Sequence, residues 1–181
     1  GLSFYEKDAL VADITKFDAM GLGITSHCMG DAGTRLLLDA LQEVTEKQGE
    51  LDGRHQLGHA SLVHPDDRER LKAMNLTPEY SPVLWFPAPV VLGYAEALGQ
   101  ERLHSLWPMR SLHEAGARTV IGSDGPLFWQ EPLTTLELAV TRKSPGNPNS
   151  KVLGGAEALD LTTAIKGMTL NAAYLLDFDD S

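Results

Sequence analysis

Short β-prone stretches alternate with stretches of helical spacing along most of the chain, and this alternation restricts the fold more than any other feature. LGITSH (22–27) precedes the helical DAGTRLLLDALQEVTEKQG (31–49), and RHQLGHA (54–60) precedes HPDDRERLKAMN (64–75). LTPEYSP (76–82) is a poor strand by propensity but falls where the rhythm requires one, ahead of ERLHSLWPMRSLHEAG (101–116), in which Pro108 marks a helix start or a break. RTVIGSD (118–124) is the clearest strand, followed by EPLTTLELAVTR (131–142) and, after the turn-rich loop KSPGNPNSKVLGG, by DLTTAIKGMTLNAAYLL (160–176). FYEKDALVADITKFDAMG adds a leading helix with Leu10, Val11, Ile14 and Phe17 on one face. A helix between two strands returns the chain to the same end of the sheet, so the strands run parallel and the class is α/β.

The 181 residues, 43% of them hydrophobic, suffice for one sizeable core, so a single domain over 1–181 is expected. Acids number 25 against 15 Lys and Arg, for a formal net charge of -10, and the bases are scattered. That pattern argues against nucleic acid or an anionic membrane as partner. The single cysteine, Cys28, excludes an internal disulfide and fits a reducing compartment such as the cytoplasm. No stretch reaches the roughly 20 apolar residues of a membrane-spanning helix.

In parallel α/β folds the side chains at the carboxyl ends of strands converge on the functional face. His27 closes the first strand, His59 the second, and Asp124 the fourth. Two imidazoles and a carboxylate on one rim suit a divalent metal of the zinc type. Each also has a plain structural reading: a strand-end histidine is commonly a satisfied surface group, and an Asp before Gly-Pro is ordinary turn chemistry.

HCMGDAGTRLLLDAL resembles the His-x-x-Gly-Asp signature of the amidohydrolase superfamily, in its amidohydrolase-3 (YtcJ-like) branch. RHQLGHA is similar to that branch's next strand, where an arginine precedes a ligand histidine. The long segment LGQERLHSLWPMRSLHEAGARTVIGSDGPLFWQEPLTTLELAVTR is similar to the last barrel strand with its flanks, and LDLTTAIKGMTLNAAYLL to the helix that follows. The resemblance implies a partial (β/α)8 barrel, roughly strands 5 to 8 with their helices. It makes residues 1–181 the C-terminal half of a metal-dependent hydrolase barrel. By the same resemblance His27, His59 and Asp124 hold the metal, and Asp124 also accepts the proton of the metal-activated water and relays it to the leaving nitrogen. The implied substrate is a small molecule with an amide-type, non-peptide carbon-nitrogen bond.

Departures from the family pattern carry a second reading. The strand-1 His-x-His pair and the strand-4 bridging ligand of relatives have no counterpart here, and a complete barrel takes about 250 residues. EYSP (79–82) stands where relatives usually have Gln-Pro. The alternative is thus a catalytically silent barrel piece that at most binds a metal ion or pairs with another chain. Open strand edges favour pairing, so a homodimer or a missing N-terminal half is expected; a stable monomer in light scattering contradicts it.

The remaining polar candidates have competing roles. Asp31 either orients His27 or caps a helix, and Arg54 and Arg110 either meet a substrate carboxylate or form solvated ion pairs. Strand alternation places His55 on the same face as His59, whereas His64, His104 and His113 read as surface. Cys28 reads as buried and inert, and Trp85, Phe86 and Trp107 as core or pocket lining.

Overall fold

The computed structural model describes residues 3–85, 89–125 and 131–179. Four strands, β1 (Thr25–His27), β2 (Gln56–Gly58), β3 (Thr77–Tyr80) and β4 (Val120–Ile121), form one sheet in the order β1-β2-β3-β4. Every neighbouring pair is parallel, with Ser26 beside Leu57, Leu57 beside Pro78 and Tyr80 beside Ile121. The alternation expected from the sequence is therefore realised, and even the propensity-poor TPEY segment is a strand because both its neighbours pair with it.

Eight helices accompany the strands among the described residues: α1 (Lys7–Asp18), α2 (Asp31–Gln48), α3 (Arg68–Ala73), α4 (Pro89–Leu103), α5 (Met109–Glu114), α6 (Pro132–Thr141), α7 (Leu161–Met168) and α8 (Leu170–Leu175). α2 shows how the sequence drives the packing. Thr34, Leu37, Leu38, Leu41 and Val44 recur at helical spacing and are fully or almost fully buried, whereas Glu43 and Lys47 pair on the outer side. Burying each of these leucines contributes about 2 kcal/mol. The helix stops at Gly49, whose φ of 97° suits a residue without a Cβ.

Two expectations need correction. The first half of α4 was not legible, because Gly93 and Gly99 interrupt it; the helix kinks at Gly99, where φ is 75°. The closing helix is two helices, since Thr169, at φ -125° and ψ -90°, breaks the run between α7 and α8. Pro108 does act as the break, immediately before α5.

A buried polar node ties α1, α2 and the approach to β2 together. Asp18, 4% exposed, accepts from the Gly53 amide at 2.7 Å and from Gln48 Nε2 at 3.3 Å, and faces His55 Nε2 at 3.2 Å. His55 Nδ1 accepts the Ile24 amide at 3.2 Å, so that nitrogen carries no proton and the ring is neutral. Burial pushes the His55 pKa below the usual imidazole value, and the opposing pull of Asp18 does not cancel it. With the folded value depressed, the unfolded chain takes up a proton first. His55 thus contributes stability that is complete above pH of about 6.5 and lost as the pH falls through the folded value. Thermal melts between pH 7 and pH 5 are expected to fall more steeply for the parent than for His55→Gln. Equal slopes would show that His55 is not held neutral.

A second buried charge, Arg142, ends α6 in a left-handed conformation with φ of 56°. It is 0% exposed, and its guanidinium donates to the carbonyls of Leu153 (2.8 Å), Leu106 (2.8 Å) and Trp107 (3.3 Å). It also lies 4.5 Å from the centre of the Trp85 ring, which stacks on Trp107 at 4.6 Å. Both tryptophans are core residues rather than pocket lining, and Phe86 lies outside the described residues.

Candidate metal centre

The carboxyl ends of the strands carry the three polar groups that the sequence pattern selected, His27, His59 and Asp124, and a fourth that it did not, Glu79. His27 is the last residue of β1, His59 follows β2 directly, Glu79 lies within β3, and Asp124 stands three residues beyond β4. A parallel sheet delivers all four to one end. The His27 and His59 rings meet edge to face, their centres 4.4 Å apart and their planes at 68°.

That meeting depends on a break in the strand alternation. In a regular strand His59 would share the side of His55 and Leu57, both buried. Instead His59 has φ of 65° and Ala60 φ of 36°. Two successive left-handed residues without glycine are unusual, and each costs of order 1 kcal/mol. The turn re-aims the His59 ring toward His27, whereas His55 stays beneath with Asp18. His55 and His59 therefore have separate environments and separate roles.

Glu79 supports this turn. Its Oε2 accepts the His59 backbone amide at 3.2 Å and its Oε1 accepts the Ser81 hydroxyl at 2.7 Å. A Cβ on Gly122 would fall 2.8 Å from Oε1, so the glycine after β4 leaves room for this carboxylate. The EYSP segment marks Glu79 as a departure from the family pattern, but its reach to the His59 main chain is set by tertiary contact and has no local signal in the sequence.

The electrostatics favour neutral imidazole at His27. Desolvation by the chain around it pushes its pKa below the usual value, His59 pushes the same way, and the Asp124 charge opposes both. A histidine binds metal only when unprotonated, so the shift keeps His27 ready to act as a ligand near neutral pH. Asp124 is exposed and has φ of 48°. The structure thus brings His27 and His59 together, with Asp124 near enough for its charge to act on His27. Among the described residues, no three His, Cys, Asp or Glu side chains stand as a complete ligand group. Two adjacent imidazoles with a carboxylate close by fit part of the donor set of a divalent ion.

The other candidates resolve into structural roles. Asp31 neither orients His27 nor occupies the cap position of α2, which is Gly30; it accepts the Ala32 amide at 3.0 Å and pairs with Arg102 at 2.5 Å. Arg54 secures the C-terminal segment: it pairs with Asp177 at 3.1 Å and Asp179 at 2.6 Å, donates to the Tyr174 carbonyl, and stacks 4.0 Å from the Tyr174 ring centre. Arg110 pairs with Glu114 on exposed surface. His64, His104 and His113 are exposed. Cys28 is buried, and burial pushes its thiol up to about 11, which makes it unreactive at neutral pH. No helix among the described residues is long and apolar enough to cross a membrane.

The chain as a whole is similar to known proteins. The chain is 27% identical over 175 residues, 96% of its length, to an N-substituted formamide deformylase of Arthrobacter pascens. It is 26% identical over 176 residues, 97% of its length, to the putative amidohydrolase YtcJ of Bacillus subtilis. It spans about a third of each of those relatives, 31% and 32% of their lengths. Its fold matches that of an uncharacterised metal-dependent hydrolase from Pyrococcus horikoshii with a TM-score of 0.80 and 23% identity, covering 99% of this chain and 35% of that one. The sequence profile of the Amidohydrolase family matches residues 1–181, so the chain belongs to the Amidohydrolase family.

Proposed function

We propose that the chain contributes His27, His59 and Asp124 to the metal centre of a hydrolase acting on amide-type, non-peptide carbon-nitrogen bonds of small molecules. The observation that carries this reading is the edge-to-face pairing of His27 and His59 at the carboxyl end of the sheet, bought with a left-handed backbone at His59. The resemblance to a formamide deformylase supports the bond type.

In this reading residues 1–181 form one domain, corresponding to strands 5 to 8 of a (β/α)8 barrel, and the remaining ligands come from segments beyond it. The bound ion, a divalent metal of the zinc type, would acidify a water and polarise the substrate carbonyl. His27 and His59 would fix its position as neutral donors. Asp124 would accept the proton of the attacking water and pass it to the leaving nitrogen, a role that its exposure at the rim permits. The test is hydrolysis of N-substituted formamides by the parent and by Asp124→Asn.

A second reading keeps the metal but not the chemistry: a catalytically silent unit that binds an ion or pairs with another chain. The lack of a complete three-ligand group among the described residues favours it. So does the sheet, whose outer strands β1 and β4 are, among the described residues, each paired on one side only. Zinc binding without turnover of any formamide would select this second reading.

A further inference from the structure

We propose that Glu79 is a positioning residue that holds the main chain at His59 in its left-handed turn and thereby keeps the His59 imidazole beside His27. The proposal deepens the metal-centre reading and rests on it for the consequence at the metal.

Three observations converge on Glu79. Its Oε2 accepts the His59 amide at 3.2 Å, at the residue where the chain leaves strand geometry. An amide turned out of the ladder needs a new acceptor, and a carboxylate is a stronger one than a neutral carbonyl. Its Oε1 is fixed by the Ser81 hydroxyl at 2.7 Å, which sets the orientation of the carboxylate. On the far side Gly122 leaves the carboxylate its space, since a Cβ there would come within 2.8 Å of Oε1. Glu79, a residue of β3, therefore ties its own strand to the chain leaving β2, with Gly122 after β4 leaving its carboxylate room.

The role is one of hydrogen bonding and does not require negative charge. Glutamine can reproduce it: its carbonyl oxygen accepts the His59 amide, and its NH2 group donates to Ser81 Oγ, which accepts in place of donating. Alanine cannot. Without an acceptor, the His59 turn loses the bond that offsets its strain, and the imidazole no longer has a fixed direction.

Backbone amide exchange by NMR and zinc titration by calorimetry, on the full chain as parent, Glu79→Gln and Glu79→Ala, test the proposal. Without metal, the His59 amide is expected to exchange at least about tenfold faster in Glu79→Ala and within about twofold of the parent in Glu79→Gln, with α2 amides unchanged. Zinc affinity is expected to fall by about 10- to 100-fold in Glu79→Ala and to be largely kept in Glu79→Gln, as for partners that orient a metal ligand. An unchanged His59 exchange rate in Glu79→Ala overturns the proposal. So does a Gln variant as impaired as the Ala variant, because Glu79 would then act through its charge. If Glu79→Ala does not fold, Gly122→Ala asks the same question by displacing the carboxylate: faster His59 exchange supports the proposal and an unchanged rate overturns it. A parent that binds no zinc shows that His27, His59 and Asp124 do not hold the ion unaided, while the exchange rates still decide whether Glu79 holds the turn.

Discussion

Replacing Arg142 by methionine is expected to destabilise the fold by about 3–5 kcal/mol, the range for breaking a buried charged network. Against a typical total of about 5–15 kcal/mol, that removes much of the stability of the chain. The buried carbonyls of Leu106 and Leu153 lose their guanidinium donor, and that of Trp107 keeps only the Met109 amide. Each orphaned buried acceptor costs about 1–3 kcal/mol, and methionine recovers part of the loss by filling the space against Trp85. Burial lowers the Arg142 pKa to about 10, opposed by the nearby Glu157, so the guanidinium is still charged at neutral pH. Its charge is met mainly by carbonyl dipoles, because Glu157 is itself engaged by the Ser111 amide and hydroxyl. Lysine keeps the charge but not the planar fork or the stacking, so Arg142→Lys should fall between parent and methionine. Urea unfolding midpoints measure the series. A methionine variant within about 1 kcal/mol of the parent would mean that the carbonyls find other partners and that the clasp is not structural.

The second large effect concerns Asp124. In the proposed reaction it binds the ion and moves a proton, and asparagine preserves its shape while removing the basic oxygen. General acid-base catalysis contributes about 10²–10⁴-fold, so Asp124→Asn should lower kcat for formamide hydrolysis by at least about 10³ when the loss of a charged metal ligand is added. The fold should be unaffected, because Asp124 is exposed on the loop after β4. Melting within a few degrees of the parent would confirm that the loss is chemical. A parent that turns over and an Asp124→Asn variant that keeps its kcat would exclude Asp124 from the proton path. A parent without turnover would leave the silent-unit reading in possession.

Much of this architecture was legible from the residues. Parallel strands followed from alternation, and the strand-end positions of His27, His59 and Asp124 followed from where each apolar run stops. Less legible were features set by contacts distant in sequence. Thr141-Arg142-Lys143 reads as a solvated helix end, yet Arg142 is buried by segments 35 to 36 residues earlier. His55 and His59 look equivalent under strict alternation, and only the left-handed turn, supported by a carboxylate 20 residues on, separates them. Nothing in a His-Ala pair announces positive φ; tertiary hydrogen bonding imposes it over local preference. The kinks at Gly99 and Thr169 were missed for different reasons: glycines hid the first half of α4, and an unbroken apolar pattern concealed the break between α7 and α8.

The paired histidines are the core of the functional account, and metal content per chain tests them most directly. Purified without chelator and dialysed against zinc, the parent should retain about one ion per chain, His59→Ala should retain none, and Asp124→Asn should retain a reduced fraction. His55→Gln, altered at the buried node rather than the rim, should bind as the parent does. Zinc binding by the parent that survives loss of His59 would contradict the assignment of His27 and His59 as partners in a metal centre.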